Sequence, residues 1–124
     1  MTDTKLSFKE MCAMFDVTPR TLRYYEYIEL LAPAKEGHAR FYSPREVARM
    51  KLILRGRRFG FSLEEIRQWL LIYGKGGERP QLKAWLALAD RQLEALDRQR
   101  AELDLAIEDL RALRQTALTE LQRH

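Results

Sequence analysis

From Gln81 to Gln122 the chain contains neither glycine nor proline, and Leu, Ala, Glu, Gln and Arg dominate the stretch. These are strong helix formers. A helix of about 40 residues is about 60 Å long at the α-helical rise. Seven-residue steps from Leu82 give Leu82, Ala89, Leu96, Leu103, Leu110 and Ala117. The interleaved steps give Leu86, Leu93, Arg100, Ile107, Arg114 and Leu121. Ten of these twelve positions are apolar, which is the seam of a coiled coil. Such a helix cannot bury its stripe on itself, and the residues before it are too few to cover it. The pattern therefore predicts a second copy of the chain, with Leu82, Leu86, Leu93, Leu96, Leu103, Ile107, Leu110 and Leu121 at the dimer interface. Arg100 and Arg114 interrupt the seam. They either set its register by pairing with acidic residues across it, or snorkel outward.

The stretch before this helix has a different character. "GKGGERP", residues 74–80, is the clearest break in the chain. Residues 1–73 hold 13 Lys/Arg against 9 Asp/Glu, while residues 74–124 hold 9 of each, so the whole net charge of +4 lies in the first segment. A basic segment beside a neutral one points to a polyanion partner for the first and a different task for the second.

Local signals divide the basic segment into short helices. Ser7 and Glu10 have capping-box spacing, and Phe8, Met11, Cys12 and Phe15 recur on one face, which predicts a helix over 8–15. Asp16-Val17 is a tight connection. Thr18 then caps a second helix and Pro19 takes its first position. Two short helices so closely joined read as a helix-turn-helix. Pro33 and Gly37 oppose helix in residues 30–43, where a two-stranded hairpin is expected. "SPRE" predicts a third helix with Ser43 as cap and Glu46 closing a box, ending at Gly60. "SLEE" predicts a fourth, capped by Ser62 and Glu65, through Ile66, Trp69, Leu70 and Tyr73.

The second helix, in "VTPRTLRYYE", holds Arg20, Arg23, Tyr24 and Tyr27 on one face and Leu22 and Tyr25 on the other. The first face suits DNA: arginine reads guanine edges or pairs with phosphate, and tyrosine hydroxyls bond phosphates. Arg55, Arg57 and Arg58 form a second basic cluster, suited to phosphate or to a helix C-terminus.

The order of elements, with "VTPRTLRYYEYIELLAP", "ARFYS" and "RGRRFGFSLEEI", resembles the MerR family of bacterial transcription regulators across residues 6–73. The resemblance implies a mainly α fold: a winged helix-turn-helix domain (1–73), a linker loop (74–81) and a long antiparallel coiled-coil dimerisation helix (82–124). It implies a homodimer that binds a pseudo-palindromic promoter operator in double-stranded DNA, bends and untwists it, works beside RNA polymerase and is switched by a small organic effector. DNA contacts are then expected from Thr18, Arg20, Thr21, Arg23, Tyr24 and Tyr25 of the recognition helix, from Arg40 and Tyr42 of the wing, and from Arg55, Arg57 and Arg58. A protein-binding adaptor of the same fold, a chaperone modulator without DNA, is the competing expectation, and the basic recognition helix opposes it. The turn of the family's motif often carries glycine; here it is Asp16, which tolerates left-handed backbone angles.

No cofactor or metal is expected. Cys12 is the lone cysteine, and His38 and His124 have no evident partner, which disfavours thiolate metal sensing and an iron–sulfur centre. Trp69, Tyr73 and Trp85 flank the glycine-rich loop and are the candidate effector pocket, against the plainer reading as core and dimer contacts. The fourth-helix region also resembles a short subgroup linked to fatty-acid and branched-chain amino-acid catabolism, which implies an acyl-CoA-like ligand. No paired carboxylates, nucleophile–base set or phosphate loop suggest an enzyme; "GKGG" lacks P-loop spacing. No apolar run approaches a membrane span or a signal peptide, so a cytoplasmic protein is expected.

Overall fold

The computed structural model describes residues 5–75 and 77–124, with no side-chain description at 73–75. The chain divides into two units, residues 1–78 and 79–124. In the first, β1 (Leu6–Ser7) leads directly into α1 (Phe8–Phe15), then α2 (Pro19–Tyr27), the hairpin β2 (Ala34–Glu36) and β3 (Ala39–Tyr42), α3 (Pro44–Phe59) and α4 (Leu63–Lys75). The second is one helix, α5 (Arg79–Arg123), of 45 residues.

The helix starts follow their predicted caps. The Ser7 hydroxyl accepts from the Glu10 amide at 3.1 Å and the Glu10 carboxylate accepts from the Ser7 amide at 2.8 Å. Ser62 and Glu65 repeat this reciprocal pair at 3.1 and 2.8 Å. Thr18 caps α2 and Pro19 opens it. The α1–α2 turn passes through Asp16 at φ 51°, the left-handed conformation that glycine would take more easily. Gly60 ends α3 at φ 91°.

Three local expectations are corrected. The hairpin is part of a three-stranded antiparallel sheet in the order β1-β3-β2, with Leu6 opposite Tyr42 and Ser7 opposite Phe41. A two-residue strand is too short to show alternation. Ser43 caps α3 as expected, but the Glu46 carboxylate accepts from the amide of Ala32 at 2.7 Å instead of closing a capping box. That ties the loop before β2 to the start of α3. The break at 74–81 is shorter than expected, since α4 reaches Lys75 and α5 begins at Arg79, with Pro80 in its first turn where a missing amide is tolerated.

The core of the first unit joins every helix to the sheet. Met11 of α1, Leu22 of α2, Tyr42 of β3, Met50 and Ile53 of α3 and Ile66 of α4 are all wholly buried. Gly56 lets α3 and α4 approach closely, because a Cβ there would lie 2.7 Å from Ile66 Cγ1. In α5, by contrast, no residue is buried.

Candidate nucleic-acid interface

The two faces of α2 separate as the sequence pattern requires. Leu22 is wholly buried and Tyr25 is 5% exposed, which anchors the helix on the core. Arg20 and Arg23 are exposed, Tyr24 is 49% exposed and Tyr27 83%. At the helix start the Thr18 hydroxyl accepts from the Thr21 amide at 3.1 Å and donates to the Thr21 hydroxyl at 2.9 Å. Both threonines are thus fixed at the end of the exposed face.

The sheet and α1 hold this face in register with the hairpin. The Arg23 guanidinium lies 5.3 Å from the centre of the Phe8 ring, and that of Arg40, from β3, lies 5.2 Å from the same ring. One half-buried phenylalanine therefore supports two arginines from different elements, within cation–π range. Glu26 completes the arrangement. Its carboxylate lies 3.5 Å from Arg40 Nε and accepts a hydrogen bond from the Tyr42 hydroxyl. Burial and the Glu26 carboxylate push the Tyr42 phenol far above its ordinary range, so it stays a neutral donor. Burial also pushes the neighbouring Cys12 thiol up, with the Arg23 charge opposing and the Glu26 charge reinforcing the shift.

The C-terminal end of α2 is fastened from the other side. Arg49 Nε of α3 donates to the Leu30 carbonyl at 2.6 Å. Arg67 of α4 donates to the Ile28 carbonyl and lies 3.4 Å from Glu64. Between those carbonyls Glu29 stands at φ 64°. Cations at carbonyls that end a helix are favourable both as hydrogen bonds and through the helix dipole.

An exposed basic helix face, a hairpin arginine beside it and a helix-turn-helix behind them together form the candidate interface. The comparisons with known proteins agree. Residues 6–71 match the family described as MerR HTH family regulatory protein, and residues 47–116 that described as MerR, DNA binding. The chain belongs to the MerR family. Among MerR-family relatives, the HTH-type transcriptional regulator ZntR of Escherichia coli K12 is 42% identical over 65 residues, 51% of this chain and 46% of its own length. The uncharacterised HTH-type transcriptional regulator PA4778 of Pseudomonas aeruginosa is 35% identical over 111 residues, covering 87% of this chain and 76% of the relative. A MerR-family transcriptional regulator from Bacillus cereus has a crystal structure that superposes with a TM-score of 0.69 at 27% identity, covering 85% of this chain and 76% of that one. The chain thus spans about half the length of the first relative and about three quarters of the other two.

Within this MerR fold, Thr18, Arg20, Thr21, Arg23 and Tyr24 gather at one surface with Arg40. Tyr25 turns its ring into the core. Tyr42 differs from expectation: it is 0% exposed, with its hydroxyl spent on Glu26, so it supports the wing from inside and does not present itself to DNA. The alternation of β3 places it on the inner face of the sheet. Arg55, Arg57 and Arg58 are all exposed near the end of α3. Arg55 and Arg58, three apart, share a face that Arg57 does not. Phe8 belongs by its spacing to the apolar face of α1, and nothing in that spacing marks it as a support for arginines.

Of the expected effector-pocket residues, Trp69 takes the plainer role of a core residue. Trp69 is 7% exposed and packs in the core, 6.2 Å from Phe59 between ring centres, while Phe59 meets Phe61 edge-on at 5.8 Å. The Tyr73 side chain lies outside the described residues, and Trp85 is a half-exposed residue of the second unit. Among the described residues no group of three or more His, Cys, Asp or Glu is placed to hold a metal ion, and no helix is long and apolar enough to cross a membrane.

Proposed function

We propose that this MerR-family chain acts as a homodimeric, sequence-specific regulator of transcription that binds double-stranded promoter DNA through α2 and the β2–β3 wing. The observation that carries the reading is the pair Arg23 and Arg40 held on the two elements by the Phe8 ring, beside the exposed Arg20, Tyr24 and Tyr27. In this reading α2 enters a major groove, where Arg20 and Arg23 meet base edges or phosphates. Arg40 contacts the flanking backbone, and Arg55 and Arg58 add phosphate contacts. The dimer spans a pseudo-palindromic operator and bends and untwists it, so that DNA deformability contributes to recognition and RNA polymerase meets a reshaped promoter. A small organic metabolite as the switch remains part of the proposal, with no residue assigned to it, since Trp69 is committed to the core.

The test starts from duplexes selected by the wild-type protein out of random sequence. Arg23→Ala should weaken binding to the selected duplex by about 1–3 kcal/mol, roughly 5- to 150-fold, at fixed salt. Arg58→Ala should weaken selected and unrelated duplexes alike and reduce the salt slope by about 1. Unchanged affinity of Arg23→Ala in a gel-shift titration removes the recognition-helix assignment.

A further inference from the structure

We infer that Phe8 is a positioning residue for DNA recognition: its ring fixes the span between Arg23 of α2 and Arg40 of β3, so that the two arginines meet the floor and the rim of one groove as a unit. The inference rests on the DNA-binding reading above and adds a residue that acts through two others.

Phe8 is anchored on both sides of the site. Ser7, the residue before it, pairs with Phe41 of β3. The reciprocal cap between Ser7 and Glu10 closes over the same turn, at 3.1 and 2.8 Å. The backbone at Phe8 is thus tied to the wing and to α1 together. The core contact of α1 is made one turn further on by Met11, which is wholly buried. Phe8 is only half-buried and lines an open cleft with Ser7, Lys9, His38 and Phe41, so part of its ring is left to carry the two guanidinium groups.

The span follows from the ring. The two guanidinium carbons lie 5.3 and 5.2 Å from its centre, so they are at most about 10.5 Å apart. The major groove of B-DNA is about 8.5 Å deep and about 12 Å wide. The distance from a base edge on its floor to a phosphate on its rim is of the same order. Arg23, on the helix that enters the groove, takes the first target, and Arg40, on the wing, takes the second. Glu26 leaves Arg40 free to do so. Its carboxylate lies 3.5 Å from Nε, the inner nitrogen of the guanidinium. That pairing does not use the two terminal nitrogens, which suit a phosphate.

The shared ring has an energetic consequence. A free arginine surrenders its rotamer freedom on binding, and one already seated on a ring has less to lose. Two arginines on the same ring also hold it between them, so removing one loosens the seat of the other. Their contributions to binding are therefore coupled and not additive. The coupling acts on the specific complex, where both targets have fixed positions. On an unrelated duplex phosphate contacts dominate, and many placements of the two charges serve equally. Phe8 thus contributes to the ratio of specific to non-specific affinity more than to affinity for DNA at large.

The test uses the full chain, a duplex selected by the wild-type protein from random sequence, and an unrelated duplex of equal length at the same salt concentration. Phe8→Leu keeps an apolar side chain and removes the ring. With the fold unchanged by circular dichroism, it should weaken binding to the selected duplex about tenfold and to the unrelated duplex less than about twofold. Phe8→Tyr keeps the ring and should stay within about threefold of wild type on both. Arg23→Ala and Arg40→Ala combined should cost at least about threefold less than the product of their separate losses, and in the Phe8→Leu background the losses should simply multiply. Unchanged affinity of Phe8→Leu for the selected duplex, an equal loss on both duplexes, or no recovery with Phe8→Tyr would overturn the inference while leaving the DNA-binding reading standing. So would losses that multiply in the wild-type background, a measurement that needs no substitution at Phe8. Unchanged binding by both arginine variants would instead overturn the DNA-binding reading of this surface, and the inference with it.

Discussion

Tyr42→Phe tests whether the wing is held from inside. The substitution keeps the ring in a wholly buried position and removes only the hydroxyl that donates to Glu26. A hydrogen bond to a charged acceptor contributes about 1.5–3 kcal/mol, and its loss leaves a carboxylate short of a donor. Glu26 keeps Arg40 at 3.5 Å, and its side chain is 13% exposed, so water and Arg40 recover part of the loss. The expected destabilisation is about 2 kcal/mol, or a fall in midpoint of about 8–16 °C for a domain of this size. The assay is urea unfolding followed by circular dichroism, at one chain concentration because a dimer's stability depends on it. Glu26→Gln, alone and with Tyr42→Phe, closes the cycle; partners in contact should show a coupling of at least about 0.5 kcal/mol. The pH dependence gives an independent check. The folded phenol titrates above its unfolded counterpart, so the folded state holds the proton that the unfolded state releases. The hydroxyl's contribution is thus full below about pH 10 and declines as pH rises beyond it, with a slope approaching about 1.4 kcal/mol per pH unit. The gap between wild type and Tyr42→Phe should narrow over that range. A loss below about 0.5 kcal/mol at neutral pH, or a gap independent of alkaline pH, would refute the network.

Gly56→Ala gains about 1 kcal/mol of helix propensity but sets a methyl 2.7 Å from Ile66 Cγ1, where overpacking costs about 1–3 kcal/mol. A net loss of up to about 2 kcal/mol in urea unfolding is expected, and a gain would show that α3 and α4 separate freely. Asp16→Val should lose about 1–2 kcal/mol at a left-handed position, while Asp16→Gly should stay within about 0.5 kcal/mol of wild type; equal stabilities of the two variants would show that the turn relaxes. Arg67→Met removes the donor to the Ile28 carbonyl and should cost about 1–2 kcal/mol, with faster amide exchange confined first to residues 26–31. Unaltered exchange there would mean that Arg49 alone secures the end of α2.

What was legible in the sequence is what is held together by neighbours. The pairs Ser7–Glu10, Thr18–Thr21 and Ser62–Glu65 each close within three residues, so the residue types at that spacing imply the bonds. The same holds for Gly60 after α3 and for α5, where an unbroken run of helix formers leaves little alternative. What stayed hidden is carried by long-range contacts. Glu46 has the spacing to cap its own helix, yet it bonds Ala32, fourteen residues away. Nothing in the spacing of Arg49 and Arg67 marks their acceptors, which are carbonyls 19 and 39 residues distant. Tyr42 belongs to a four-residue strand, too short for its alternation to show that it points inward. Phe8 had the spacing of a core residue, and only the fold brings Arg23 and Arg40 to its ring.

These hidden contacts share one object, the orientation of α2. Its exposed face is registered to the wing through Phe8, Arg40 and Glu26, and its end is fastened to α3 and α4 through Arg49 and Arg67. The two sets differ in what they can transmit. Contacts to Phe8 and Glu26 fix the spacing between the recognition helix and the wing, which must match a groove and its flanking phosphates together. The bond to the Leu30 carbonyl instead makes the tilt of α2 depend on α3, and the bond to the Ile28 carbonyl makes it depend on α4, the helix that precedes α5 in the chain. A displacement of α4 would weaken the directional Arg67 bond more than the Phe8 contacts, which are broad and less directional. A signal arriving along α4 is therefore expected to alter how α2 is aimed before it alters the arginines that α2 presents.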